Sequence, residues 1–300
     1  MGHGAMHRGP LSSPRTVQRL LLGNGSCLPL AHLLSGLRVT ATRSPDLTAA
    51  LNKVPATTLV FWIIKICATT VGETAADVLS TTFHLGLVVT SIVMAVLLVI
   101  SLLVQFHATR YVPTIYWLTV VFISVVGTLI SDNLVDNLGV SLVATTSIFL
   151  VALVVVFIWW HRSEHTLSVH TIVTRRREMF YWAAILFTFS LGTSGGDLIS
   201  EHFGLGYAVA LGLFAGGIAV VYALYRMHVM NGVLAFWLAY ILTRPLGASA
   251  GDLITQAPSE GGFGWGRLPV TGVILVVIVA LVIYLTVKER SAAPGSVPSR

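Results

Sequence analysis

Four stretches of this chain, Leu85–Phe106, Gly139–Trp160, Gly206–Tyr225 and Pro269–Val287, each run for about one bilayer thickness without a charged side chain. A helix needs about 20 apolar residues to cross the hydrocarbon. Between them lie four more apolar stretches, at about 56–79, 113–132, 179–200 and 229–254, each with a polar or acidic cluster near its C-terminal end. Charged residues make up only 10% of the 300, against about 25% in a soluble domain. That is too little polar surface to coat a water-soluble globule, which excludes a soluble enzyme; disorder is excluded because the chain is so apolar. Barrel strands would alternate polar and apolar residues in short segments, and these stretches do not. The expectation is an all-α integral membrane protein with eight transmembrane helices. Two cysteines, Cys27 and Cys67, make neither a disulfide framework nor a thiolate metal site.

Orientation follows from lysine and arginine, which accumulate on the cytoplasmic side of a membrane. With both termini on one side, that side collects 15 of the 18 basic residues, leaving Arg267 opposite and Lys65 and Arg244 inside spans. Both termini are therefore expected in the cytoplasm. The run Arg175-Arg176-Arg177 reads as an anchor facing anionic lipid head groups, so the net charge of +6 calls for a bilayer and no nucleic acid. Residues 1–52 read as a poorly ordered cytoplasmic extension, 53–290 as the membrane domain and 291–300 as a disordered tail.

The odd-numbered spans repeat one another. Phe61-Trp62, Gly72 and Asp77 recur as Tyr116-Trp117, Gly127 and Asp132, then Tyr181-Trp182, Gly192 and Asp197, then Phe236-Trp237, Gly247 and Asp252. Glycine always follows tryptophan by ten residues and aspartate follows glycine by five, with no gap in any copy. A second small residue (Ala76, Ser131, Gly196, Gly251) stands four after each glycine. Such pairs let membrane helices approach closely. The odd helices are therefore expected to meet at the centre of the bundle, with the even ones outside against lipid, and Gly212-xxx-Gly216 is expected to make one more close contact. Because each unit holds two spans, all four enter the membrane in the same direction, as parallel repeats. Their approximate bounds are 53–109, 110–174, 175–228 and 229–290.

These residues carry a resemblance. Residues 53–290 resemble a family of bacterial multi-pass membrane proteins defined by four tandem copies of a repeat of unknown function, each with two transmembrane segments and a characteristic tryptophan. The segments Phe61-Trp62-Ile63-Ile64-Lys65 through Thr69-Thr70-Val71-Gly72-Glu73, and Leu242-Thr243-Arg244-Pro245-Leu246-Gly247-Ala248-Ser249, carry it most closely. The resemblance implies an eight-helix protein of the bacterial inner membrane and brings no activity with it.

Function has to be read from the charges. Asp77, Asp132, Asp197 and Asp252 on four inward faces would form a negative cluster near the outer interface, and ionisable residues in membrane helices mark functional sites. Alternatively, each aspartate simply caps its helix at the return turn. Lys65 and Arg244 lie deep enough to need partners, for which Glu73 and the motif aspartates are the candidates. Thr69 and Thr193 belong to a band of hydroxyls that could coordinate a partly dehydrated cation. His84 and His202 are candidate ligands for a divalent metal near the outer mouth. The expected function is a permease for a small cation, divalent metals included, with no bound cofactor and no catalytic site. The alternative is a non-transporting scaffold, sensor or accessory subunit whose motif serves helix packing. Either could act as a single bundle or as a homo-oligomer.

Overall fold

The motif helices start where local chemistry lets them. The Thr58, Thr174 and Asn231 side chains accept the backbone N–H of Phe61, Arg177 and Leu234, and Pro113 occupies the first turn of the second motif helix. In the computed structural model, which describes Met1 and residues 52–292, the long helices are α1 (Leu59–Asp77), α2 (Gly86–His107), α3 (Pro113–Asp132), α4 (Leu142–Glu164), α5 (Arg175–Asp197), α6 (Tyr207–Arg226), α7 (Gly232–Thr255) and α8 (Arg267–Ala292). The expectations for residues 2–51 and for the C-terminal tail beyond Ala292 fall outside the described residues. No strand occurs among the described residues.

Seven of these helices are long and apolar enough to cross a bilayer, so the chain is a multi-pass membrane protein. The exception is α5. Its C-terminal end holds Gly192, Thr193, Ser194, Gly195 and Gly196, which lowers its hydropathy. The helix packs against α3, α4 and α7, so neighbouring helices cover the surface that lipid would otherwise meet.

The four motif helices close into a ring: α1 packs on α3, α3 on α5, α5 on α7, and α7 back on α1. Burial separates the two classes as expected. The apolar windows of α1, α3 and α7 are 61%, 67% and 56% buried, while those of α2, α4, α6 and α8 are 17–22% buried. Each return helix crosses to the next unit: α2 packs on α3, α4 on α5, α6 on α7, and α8 closes the circle on α1. Repeat boundaries in sequence are therefore not packing boundaries in space. Exposed Val88, Ile92 and Val96 on α2 are typical of the outer faces.

Two expectations need correction. Gly212 and Gly216 on α6 have no neighbouring atom within 4 Å of where a Cβ would stand, so they make no close contact among the described residues. Nor does any motif aspartate cap a helix end. In the first three repeats the chain continues past the aspartate as a π-helical turn (Val78–Thr82, Asn133–Asn137, Leu198–His202), and Asp77, Asp132 and Asp197 make no side-chain cap bond. Asp252 lies inside α7. The turn back follows with a left-handed residue at one equivalent position, His84, Gly139 or Gly204.

Candidate functional site

Every fourth residue of a helix drifts only 40° around it, so residues four apart form one inclined ridge. Counted from the motif glycine, one such ridge on each ring helix holds five buried or half-buried residues. They are Phe61, Lys65, Thr69, Glu73 and Asp77 on α1, and Tyr116, Val120, Ser124, Thr128 and Asp132 on α3. The set continues with Tyr181, Ile185, Phe189, Thr193 and Asp197 on α5, and Phe236, Tyr240, Arg244, Ala248 and Asp252 on α7. Equivalent residues stack as layers from the tryptophan end to the aspartate end.

The motif glycines hold the layers in register. A Cβ added to Gly72 would overlap Ser124, one on Gly127 would meet Phe189, one on Gly192 would overlap Arg244 and one on Gly247 would overlap Thr69. Each partner is the residue three before the glycine of the next repeat, and the relation closes from the fourth repeat to the first. Aromatic contacts circulate in the same direction. Phe61 meets Trp117 at 5.5 Å between ring centroids, Tyr116 meets Trp182 at 5.5 Å, Tyr181 meets Trp237 at 6.3 Å and Phe236 meets Trp62 at 5.7 Å. The tryptophans are therefore packing elements that stitch neighbouring repeats. Tyr116 and Tyr181 also share a 2.5 Å hydroxyl–hydroxyl hydrogen bond in this layer.

Beyond the aromatic layer, on the side of the basic links, lies a second buried polar group that sequence reading missed. Lys53 Nζ donates to Glu178 at 2.7 Å and to the Phe106 carbonyl at 3.3 Å, while Gln105 Nε2 donates to the other Glu178 oxygen at 3.1 Å. Two of the three adjacent arginines are also occupied: Arg177 Nε donates to Glu164 at 2.8 Å, and Arg176 stands 3.7 Å from it. Arg177 thus ties α5 to the end of α4, while Arg175 and Arg176 stay exposed.

At mid-ring the two intramembrane cations behave differently. Arg244 reaches across to α1, as its distance from acids on its own helix suggested, and its Nη2 donates to Glu73 Oε2 at 2.9 Å. The same nitrogen donates to Thr193 Oγ1 at 2.7 Å and to Thr128 Oγ1, while Nη1 donates to the Thr69 carbonyl at 3.1 Å. Lys65 departs from expectation, because no acid pairs with it. Its fully buried Nζ has no hydrogen-bond partner among the described residues and sits 4.2 Å from the ring centroids of both Phe189 and Tyr240. Aromatic faces attract an ammonium through the ring quadrupole, though more weakly than a carboxylate does. Thr128 belongs to the band of hydroxyls expected at this level, while Phe189 and Tyr240 become visible as site residues once the sequence is read in steps of four from the motif glycine.

All four motif aspartates lie within electrostatic reach of Glu73. Asp77 pairs with Arg267 at 2.9 Å. Asp132 and Asp197 are half-buried and Asp252 is buried, and none of the three has an ion-pair partner among the described residues. Beside the Asp77–Arg267 pair a surface cleft lined by Thr82, Thr255, Gln256, Glu260 and Arg267 opens. His84 and His202 are exposed in the turns, and no group of three or more His, Cys, Asp or Glu side chains among the described residues is placed to hold a metal ion. They do not form the metal site considered from the sequence.

The family model described as Repeat of Unknown Function (DUF347) matches four segments of the chain, residues 60–111, 115–166, 180–228 and 235–291. No curated protein and no solved structure matches the chain significantly.

Proposed function

The chain belongs to the family built from the Repeat of Unknown Function (DUF347), and from that premise we propose that it is a permease for a small cation, with its path along the axis of the motif-helix ring. The reading takes α5 as an eighth crossing and the four repeats as parallel. It places the tryptophan end and both termini in the cytoplasm, on the basis of the basic links, and the protein in the bacterial inner membrane. One observation carries the proposal: the motif aspartates of all four ring helices lie at the same end of the ring, within electrostatic reach of Glu73, and three of them have no ion-pair partner among the described residues. Like charges held together in a low-dielectric setting repel, and a visiting cation relieves that repulsion. In this reading Asp132, Asp197 and Asp252 collect the ion, the cleft beside Arg267 admits it, and Glu73 with Arg244 controls passage through mid-ring.

The scaffold reading draws on a different observation, the side chains that fill the ring from the aromatic layer to Arg244. Cation uptake into proteoliposomes decides between them. The permease reading expects Asp132→Asn to abolish uptake by a chain that still folds in the membrane. The scaffold reading expects no uptake by the native chain, no consequence of Asp132→Asn, and loss of the folded protein with Gly192→Leu.

A further inference from the structure

The contacts of Arg244 fit a guanidinium poorly and a point charge well. Guanidinium groups usually meet carboxylates through two parallel N–H donors. Here only Nη2 reaches Glu73, Nη1 goes to the Thr69 carbonyl and the buried Nε has no partner among the described residues. Meanwhile three oxygens converge on Nη2 from three different helices: Glu73 Oε2 on α1, Thr128 Oγ1 on α3 and Thr193 Oγ1 on α5. That nitrogen carries two hydrogens, so the oxygens outnumber the donors offered to them. Directional N–H bonds cannot serve such a set fully, whereas a spherical ion can.

We propose that Glu73, Thr128 and Thr193 form a cradle for a monovalent cation, which Arg244 fills as a tethered occupant and which a free alkali cation takes over by expelling the guanidinium. The proposal rests on the permease reading and gives it a substrate class. Hard cations take carboxylate, hydroxyl and carbonyl oxygens, and the Thr69 carbonyl adds another oxygen at the edge of the site. The layer contains one carboxylate, since Ala248 stands at the fourth equivalent position. One negative charge balances one positive charge, so exchange of Arg244 for a monovalent ion leaves the layer neutral. A divalent ion would leave a surplus charge buried, which is costly. Gly192 presents only backbone beneath the Arg244 stem. The motif aspartates stand one step further along the ridge, ~6 Å of helix rise away, so an ion collected there is a single step from the cradle.

The test is thermal unfolding of purified Arg244→Ala in detergent, in lithium, sodium, potassium or choline chloride at equal ionic strength. At least one alkali cation is expected to raise its Tm above the choline value by about 3 °C or more. Glu73→Gln in the same background is expected to remove the difference, and magnesium or calcium is expected to give no larger rise. A folded Arg244→Ala that does not distinguish alkali cations from choline overturns the proposal, as does a response that survives Glu73→Gln. Arg244→Met preserves the packing of the stem and is read by the same criteria if the alanine variant does not fold. If neither variant folds in alkali-metal buffers, a cation does not replace Arg244 and the proposal falls. Uptake by the native chain without an alkali response in the variant removes the cradle and keeps the permease. An alkali response without uptake does the reverse.

Discussion

The ring is finished differently at its two ends. At the tryptophan end, aromatic rings from all four repeats interlock, Tyr116 bonds to Tyr181, and the Lys53–Glu178 pair is 7% and 1% exposed. The Lys53 and Glu178 charges there neutralise one another. At the aspartate end one motif aspartate of four has a basic partner among the described residues, and that pair is 23% and 31% exposed. The same repeat thus supplies a sealed end and an end with unpaired carboxyl groups. The difference teaches that internal symmetry governs how the helices pack, while departures from it in single repeats, at Lys65, Glu73, Phe189 and Arg244, govern how charge is distributed.

Substitutions can break or sharpen this contrast. The largest effect is expected from Gly72→Leu, which removes the register that both ends share. An added Cβ would already stand 2.6 Å from Ser124 Cβ, so the cost should exceed the ~1–3 kcal/mol of ordinary overpacking. Size-exclusion chromatography in detergent should show no monodisperse protein. Next comes Glu178→Ala, which strands Lys53 at the sealed end and should cost about 3–5 kcal/mol, read as a lowered Tm. At the open end Asp252→Asn should leave Tm nearly unchanged, while the permease reading expects cation uptake to fall about tenfold or more, the rate equivalent of ~1.4 kcal/mol. Loss of stability without loss of uptake would reverse the assignment of the two ends. The smallest effect is expected from Arg267→Gln. A pair this exposed is worth roughly 0.2–1 kcal/mol, and the difference in Tm should shrink as salt is raised.

The central and outer positions of the helices were readable because small residues and aspartate sit on one set of spans and uninterrupted apolar residues on the other. Arg244 could be assigned to an acid on another helix, because the nearest acid on its own helix, Asp252, is two turns away. Lys65 could not be placed, since the sequence does not say that Phe189 and Tyr240 would be what it meets. Gly212-xxx-Gly216 misled for a related reason: a small-residue pair permits a close approach without naming a partner. Lys53, Gln105 and Glu178 were missed because they are far apart in the chain and lie outside the motif.

The chain alone determined its helices, its four repeats and which helices turn inward, because apolar length, the spacing of glycine and aspartate, and the distribution of small residues are local properties of consecutive residues. Only the tertiary structure decided that the ring closes on itself, that each return helix serves the next repeat, and that Arg244 lies against Glu73 across 171 residues of sequence. The physical reason lies in the helix ridge. Residues four apart share a face whatever surrounds them, but the residue opposite that face depends on how separate helices settle against one another. That settling is governed by close packing at the glycines, and no single helix contains the information for it.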